Sequence, residues 1–578
     1  MNYINDFSTR TDLIDLYGNN ALLLYALQLR FSISDIVSVA SDALTDGGDD
    51  KKCDLIYIDR DDGFAVIAQG YMKKDAHDTD LAPANKASDL NTASAWVLSN
   101  NTEDIPIRIK EQVLSLRSAI IDGSISKIYF WYVHNLNESN NPTVSKELKI
   151  MASSSNALVK SNFPGNEIEI FAIEVGNETI EKWYNTSNKF ITLTEIYDVE
   201  TPNIGFEIKN DLWKAYITAI SSKWIKKMYD EHKDDLFSGN PRNYLGAGKK
   251  KNKINLGIKD SIINEPKNFW AYNNGITALV NNYTLDEEGH LLSISGITVI
   301  NGAQTTGAVG SVDTIMNAWI PIRFIVCRDK TIIDKIITNN NKQNEILSSD
   351  LRSNDATQNR LRKEFEGYSN FFYSGGRRGE SNPYRSKQIL DPYLVAQSLL
   401  AFHGDCVTAY NSRTELWDDD KLYSNIFSDQ LSANHIVFVY ALLRAIELYK
   451  LELQGKSDNR TETEEKQYSF LSKRGSKMLL IYTVSGCMEG LIDKKITNNW
   501  TLKFQDISDF ELLVNLWKKV VKSILPMSYF NLEDVLSEGL KNKEKAQKSV
   551  ENVVGLFTAI QETVRTQVAD FINQVSTA

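Results

Sequence analysis

A mixed α/β (α+β) fold that closes in an all-helical part is what this 578-residue chain predicts, and three observations carry the prediction. Between residues 54 and 173, short β-branched and aromatic runs alternate with stretches of helical periodicity. Between about 200 and 390, strand-like runs break at Asn-Gly pairs, and from 391 onward the β signal fades into helical spacing. A single core stops growing well before this length, so several domains are expected. The shifts in pattern divide the chain into residues 1–200, 201–390 and 391–578.

The elements follow in order. Apolar positions at Leu13, Leu16, Leu22, Leu23, Leu27, Ile33, Ile36 and Val39 predict helix over 11–45. Gly47, Gly48 and the aspartates around them make 46–52 a turn, and Asp54–Ile58 and Phe64–Ala68 read as strands joined by the loop 59–63. Residues 72–104 are polar and helix-like, and 105–120 form a further helix. Two more β runs then occupy Lys127–Val133 and Glu167–Ile173. In the last part, Ile436–Leu451, Lys477–Leu491 and Val550–Val575 are helical, and acidic 458–465 is a surface loop.

Composition narrows the function. The net charge of −11, from 64 basic and 75 acidic residues, argues against a protein that coats nucleic acid non-specifically, while leaving room for a local basic groove. No apolar run reaches membrane-spanning length, and the first residues carry neither a basic nor an apolar targeting segment, so a cytoplasmic protein is expected. The four cysteines lie far apart without a CxxC pair, which makes disulfides and structural zinc unexpected. No GxxxxGK[ST] or GxSxG motif occurs, and no Arg precedes a His at the spacing of HEPN-type ribonucleases. Any chemistry narrows to metal-dependent attack on phosphodiesters.

Asp54 opens one strand of the N-terminal hairpin, Gln69 ends the next, and Lys73 follows four residues later. This order, with the Gly/Asp-rich lead-in, resembles PD-(D/E)xK nucleases of the Mrr-like branch. The resemblance implies a restriction-endonuclease-like α/β domain with Asp54 and Gln69 as Mg2+ ligands and a lysine acting on the attacking water and the phosphate. Asp49 or Asp50 could add an oxygen. Tyr71 stands where the lysine is expected. Lys73 shares its face only if the strand continues, roughly 6–7 Å further on by the strand rise.

Two Asn-Gly pairs dominate the middle of the chain, in Phe269–Thr277 and in Val299–Thr306. Each tolerates positive φ and ends a strand-like run in a tight turn. Asn274, Gly275, Asn301, Gly302, Gln304 and Thr305 could line a pocket for a phosphate or nucleotide. Read alone, they are better explained as β-turns whose aromatic neighbours Phe269, Trp270 and Tyr272 pack the core. Lys249, Lys250 and Lys251, with the glycine-flanked Arg377 and Arg378, are the candidate phosphate contacts, and Tyr373 and Tyr384 could stack on bases.

With Thr338–Asn344, Ser349–Asp355 and Phe372–Glu380, these two stretches make five motifs in order that resemble the AIPR (abortive-infection phage resistance) family. The resemblance implies a bacterial antiphage protein with a nuclease-like N-terminal domain that is regulated by, or delivered through, the AIPR domain. It implies ATPase or helicase-like partners; DNA is expected ahead of RNA as the nucleic acid, with the choice between them left open by the sequence. A homodimer without membrane contact is also expected. The alternative is a non-catalytic nucleic-acid or nucleotide-binding sensor or scaffold, which Tyr71 and the acidic balance favour.

Overall fold

The computed structural model describes residues 2–577 except 78, 139–141, 189–190, 192, 233–235, 238–248, 287–290, 313–316, 343–351, 353–354, 376–386, 414 and 457–458. Contacts group the chain into two units, Met1–Ile33 with Ala43–Glu345, and Ser34–Asp42 with Ile346–Ala578.

The first unit contains two sheets. Strands β1 (Leu55–Asp59), β2 (Phe64–Tyr71), β3 (Lys127–His134) and β4 (Glu169–Val175) lie in that order, with β1–β2 antiparallel and the other pairs parallel. All of β3 is buried, as its run of Ile, Phe, Trp, Tyr and Val requires of a strand covered on both faces. The helices Ala84–Leu98, Ile107–Ile121 and Pro142–Asn162 supply one cover, closing a core that includes Leu90, Val113, Leu116, Ile128 and Phe130. On the other face Phe31 stacks on Phe64 and Trp131.

The second sheet comprises β5 (Leu193–Glu200), β6 (Phe206–Lys209), β7 (Trp213–Ser221), β8 (Ile276–Leu279), β9 (Asn282–Leu285), β10 (Leu291–Asn301) and β11 (Trp319–Cys327). Its order is β5-β10-β8-β11-β7-β6, with β9 paired to β10; among the described residues β8–β11 is the one parallel pair. Phe269–Tyr272 departs from the strand-like reading: it is one helical turn, in which Phe269 alone is buried while Trp270 and Tyr272 are exposed. A single turn offers one face to the core, so the aromatic run cannot all pack inward.

The second unit is helical apart from two-residue bridges such as Phe371–Phe372 with Gln388–Ile389. Its centre is Ala433–Lys456, buried along most of its length and sharing one core with Trp417, Trp517 and Phe571. Part of the expected acidic loop is helix instead: Thr461 Oγ1 accepts from Glu464 N at 3.2 Å, Glu464 accepts from Thr461 N at 2.9 Å, and this capping box starts Glu462–Ser472. Among the described residues no helix is long and apolar enough to cross a membrane.

Candidate metal centre

The centre forms where the β1–β2 hairpin meets the loop before it. Asp54 N donates to Ala68 O at 2.9 Å, which sets Asp54 just ahead of β1 and beside Gln69. Asp54 Oδ2 accepts from Gly70 N at 2.6 Å and from Gln69 Nε2 at 2.7 Å. Gln69 Oε1 is buried and has no hydrogen-bond partner among the described residues. The amide therefore spends its donor on the carboxylate and leaves an acceptor unpaired, an arrangement that costs about 1–3 kcal/mol unless something fills it.

The loop 46–53 brings two more carboxylates. Asp46, Asp50 and Asp54 each place an oxygen within 4.8 Å of the others. The backbone makes this possible through positive φ at Gly47 (143°), Asp49 (59°), Lys51 (56°) and Lys52 (66°). Asp50 closes the turn by accepting from Gly47 N at 3.1 Å and Lys52 N at 2.9 Å. Arg108 Nε clamps it from outside by donating to Thr45 O (2.8 Å) and Asp46 O (2.9 Å). A Cβ at Gly47 would lie 2.1 Å from that guanidinium, so the arginine needs the glycine.

Burial pushes the Asp54 carboxyl up to about 7. The Gly70 N–H opposes the rise, the charges of Asp46 and Asp50 add to it, and the Lys86 ammonium pulls it down. A desolvated carboxyl beside two like charges and an orphaned amide oxygen is an oxygen donor set that suits a hard divalent cation. Asp54 and Gln69 are thus brought together as the hairpin suggested. Asp46 was missed as a site member, and so was the charge of Lys86, whose Nζ lies 3.9 Å from Asp89 and which acts on Asp54 from a distance. Asp46 stood in the recognised turn, but Lys86, in the first turn of Ala84–Leu98, left no signal in its spacing.

Lys73 goes elsewhere. Strand β2 ends at Tyr71, so the continuation that would have carried Lys73 does not form. Its backbone is held by Asn135 through Lys73 N to Oδ1 and Nδ2 to Lys73 O, both 2.8 Å, and its Nζ pairs with Asp80 at 2.6 Å. Tyr71 is half-buried against the helix-covered core.

The two Asn-Gly turns pack on each other. Gly275 and Gly302 have φ of 80° and 90°. A Cβ on Gly302 would lie 2.6 Å from Gly275 O, and one on Gly275 would lie 2.6 Å from Pro321 O. Asn273 Oδ1 accepts from Gly275 N at 2.8 Å and its Nδ2 donates to Thr305 Oγ1 at 3.1 Å. Asn301 Nδ2 donates to Asn340 O at 3.0 Å, and Arg323 Nη2 donates to Thr277 Oγ1 (2.8 Å) and Asn340 Oδ1 (2.9 Å). Asn274 is exposed, Gln304 half-buried. These residues make a joint between β8, β10, β11 and the helices Ala303–Gly310 and Lys330–Lys342.

Of the basic candidates, Lys249, Lys250 and Lys251 begin the helix Lys249–Asn264, with side chains outside the described residues. Arg377, Arg378 and Tyr384 also lie outside them. Tyr373 does not offer a stacking face: it is buried and donates to Gln358 Oε1 at 2.9 Å.

The family profile described as AIPR protein matches residues 237–528. No curated protein and no solved structure matches the chain.

Proposed function

The chain belongs to the AIPR family, and we propose that it serves abortive-infection phage resistance as a metal-dependent nuclease acting on DNA. The cutting centre is the Asp46–Asp50–Asp54 cluster of the Mrr-like N-terminal region, under control of the AIPR domain. ATPase or helicase-like partners deliver the nucleic acid.

One observation carries this reading: Gln69 Oε1 is a buried acceptor without a donor, next to three converging carboxylates. Asp46, Asp50, Asp54 and Gln69 would hold Mg2+, which when bound supplies Lewis-acid polarisation of a phosphoryl oxygen and a more acidic water. The chain's own groups do the positioning. Gly70 N–H and the Gln69 amide aim the Asp54 carboxylate. The Lys86 charge, which acts on Asp54, supplies the cation that a phosphate needs as negative charge develops. Incubating the purified chain with plasmid, single-stranded DNA and RNA, with and without Mg2+, tests the proposal. Cleavage of DNA that needs Mg2+ and is lost in Asp54→Ala supports it, and cleavage retained in that variant removes the centre.

A second reading, a nucleic-acid-binding sensor or scaffold that does not cut, is favoured by Tyr71 in the lysine slot and by the Lys73–Asp80 ion pair. Gain of cleavage in Tyr71→Lys would support a site that has lost its catalyst.

A further inference from the structure

Strand β6 is an open edge. Among the described residues it pairs with β7 alone, and all four of its residues are exposed. Edges of this kind template pairing with another strand, and short length, edge charges, proline or bulges blunt them. This one is short and carries on one face Glu207, which takes the Tyr283 hydroxyl and lies 3.6 Å from Lys209 Nζ. The other face is an apolar row: Ile204 is 66 % exposed, Phe206 57 % and Ile208 50 %, at alternate positions. That face is the one on which Ala215, Ile217, Leu279 and Ile325 pack with Ile333 of the helix Lys330–Lys342. The apolar surface thus runs from a covered centre to an uncovered rim.

The backbone selects the partner's register. Asn210 N donates to Trp213 O at 2.9 Å, and the β6–β7 ladder continues from that pair through Ile208↔Ala215 and Phe206↔Ile217. Hydrogen-bonded and non-hydrogen-bonded pairs alternate along an antiparallel ladder, so the N–H and C=O groups of Glu207 and Lys209 face outward. An antiparallel copy of β6 can meet them in registers centred on residue 207, 208 or 209. Centring on 207 sets Glu207 against Glu207, and centring on 209 sets Lys209 against Lys209. Centring on Ile208 sets each Glu207 opposite the partner's Lys209, twice, and Ile208 against the partner's Ile208 on the apolar face. Opposite charges directly across a ladder stabilise and like charges destabilise.

We infer that β6 is the homodimer interface of this protein, a second copy adding its own β6 antiparallel about a two-fold axis through Ile208 and joining the two central sheets into one. This rests on the edge, its charges and its apolar row, independently of any nuclease activity.

Sedimentation velocity on the full chain tests it, with circular dichroism confirming that each variant folds. The wild type is expected as a dimer. Glu207→Lys sets lysines against lysines and should raise the dimer dissociation constant at least about tenfold. The charge-swapped Glu207→Lys/Lys209→Glu double variant should restore the dimer. Ile208→Cys should form an intermolecular disulfide on mild oxidation, because directly opposed non-hydrogen-bonded residues have Cα atoms about 4.5 Å apart. A wild type that is monomeric at tens of micromolar overturns the inference. So does a dimer that ignores Glu207→Lys and leaves Ile208→Cys uncrosslinked beyond the wild-type background.

Discussion

Asp35 and Arg444 form an ion pair in which each side chain is 5 % exposed. Asp35 also takes the Tyr440 hydroxyl and, at 3.1 Å, Ser38 N, while Arg444 Nη1 donates to Glu447 Oε2 at 2.9 Å. Glu447 Oε1 in turn accepts from Ser38 Oγ at 2.7 Å and Lys477 Nζ at 3.1 Å. The segment Ser34–Asp42 is thereby built into the helical unit by charge as well as by packing. Burial alone would raise the Asp35 carboxyl, but the Arg444 charge and the hydrogen bonds from Tyr440, Arg444 and Ser38 hold it below the usual carboxylate range.

Arg444→Met should cost about 3–5 kcal/mol, because it strands the buried Asp35 carboxylate, while Glu447 keeps Lys477. The sign with pH follows from the depressed carboxyl. Its contribution is present above the unfolded value near 4 and is lost as pH falls through the folded value. Denaturant titrations of both proteins at pH 7 and at pH 3 check this; equal stability of the two at pH 7 would contradict it.

Acid should also act through His403 and His435. Their Nε2 atoms lie 3.1 Å apart and His435 Nδ1 donates to Leu502 O at 2.7 Å, so the pair is held neutral by geometry. Burial, with the charge of His435, pushes His403 down to about 3, and burial pushes His435 down to about 4 despite the Leu502 carbonyl. Below the ordinary imidazole value near 6.5 the unfolded chain binds protons that the fold refuses. Stability should therefore fall between pH 6.5 and 4, by up to about 1.4 kcal/mol per pH unit for each histidine. His435→Gln should flatten that slope in pH-dependent denaturation.

The Asp54 carboxyl behaves in the opposite sense. Raised to about 7, it contributes stability that is whole below the unfolded value near 4 and lost as pH rises through 7. Divalent cations should replace the missing protons. Mg2+ is expected to raise the thermal midpoint more at pH 8 than at pH 6, and to lose this effect in Asp54→Asn. A midpoint unmoved by Mg2+ at pH 8 counts against the centre, whatever the activity assays show.

Lys86→Ala should lower any Mg2+-dependent cleavage by about 10²–10³-fold, the loss typical of a group that stabilises developing charge. Lys73→Ala, whose Nζ is already engaged by Asp80, should stay within about threefold of wild type. Rates of plasmid nicking under single-turnover conditions separate the two lysines, and the reverse ranking would return the role to Lys73.

Gly302→Ala forces a Cβ into Gly275 O at 2.6 Å and strains a φ of 90°. A loss of more than about 2 kcal/mol in thermal or chemical unfolding is expected from strain and clash together. A neutral substitution would show that the two turns can separate cheaply.

The order of helices and strands was legible because each element writes its own period. Ile436–Leu451 was recognised within the observed Ala433–Lys456, and Lys127–Val133 within β3. Phe269–Tyr272 was misread because four consecutive aromatic and small residues have no period, and tertiary packing chose helix for them. The centre was legible in part. Asp54 and Gln69 flank one hairpin, so hairpin geometry alone sets them side by side. Lys73 failed because a strand's end depends on what pairs with it, and β2 stops at Tyr71.

By itself, then, the sequence determined the mixed α/β class, the helical last part, the family motifs and the Asp54–Gln69 pairing, all products of short-range periodicity and turn chemistry. The tertiary structure decided the rest. It folded Asp46 and Asp50 back onto Asp54, closed the Asn-Gly turns on each other and placed Asp35 against Arg444. These are meetings of residues from separate stretches of chain, and buried charge, orphaned polar atoms and steric fit exist only once those stretches are in contact.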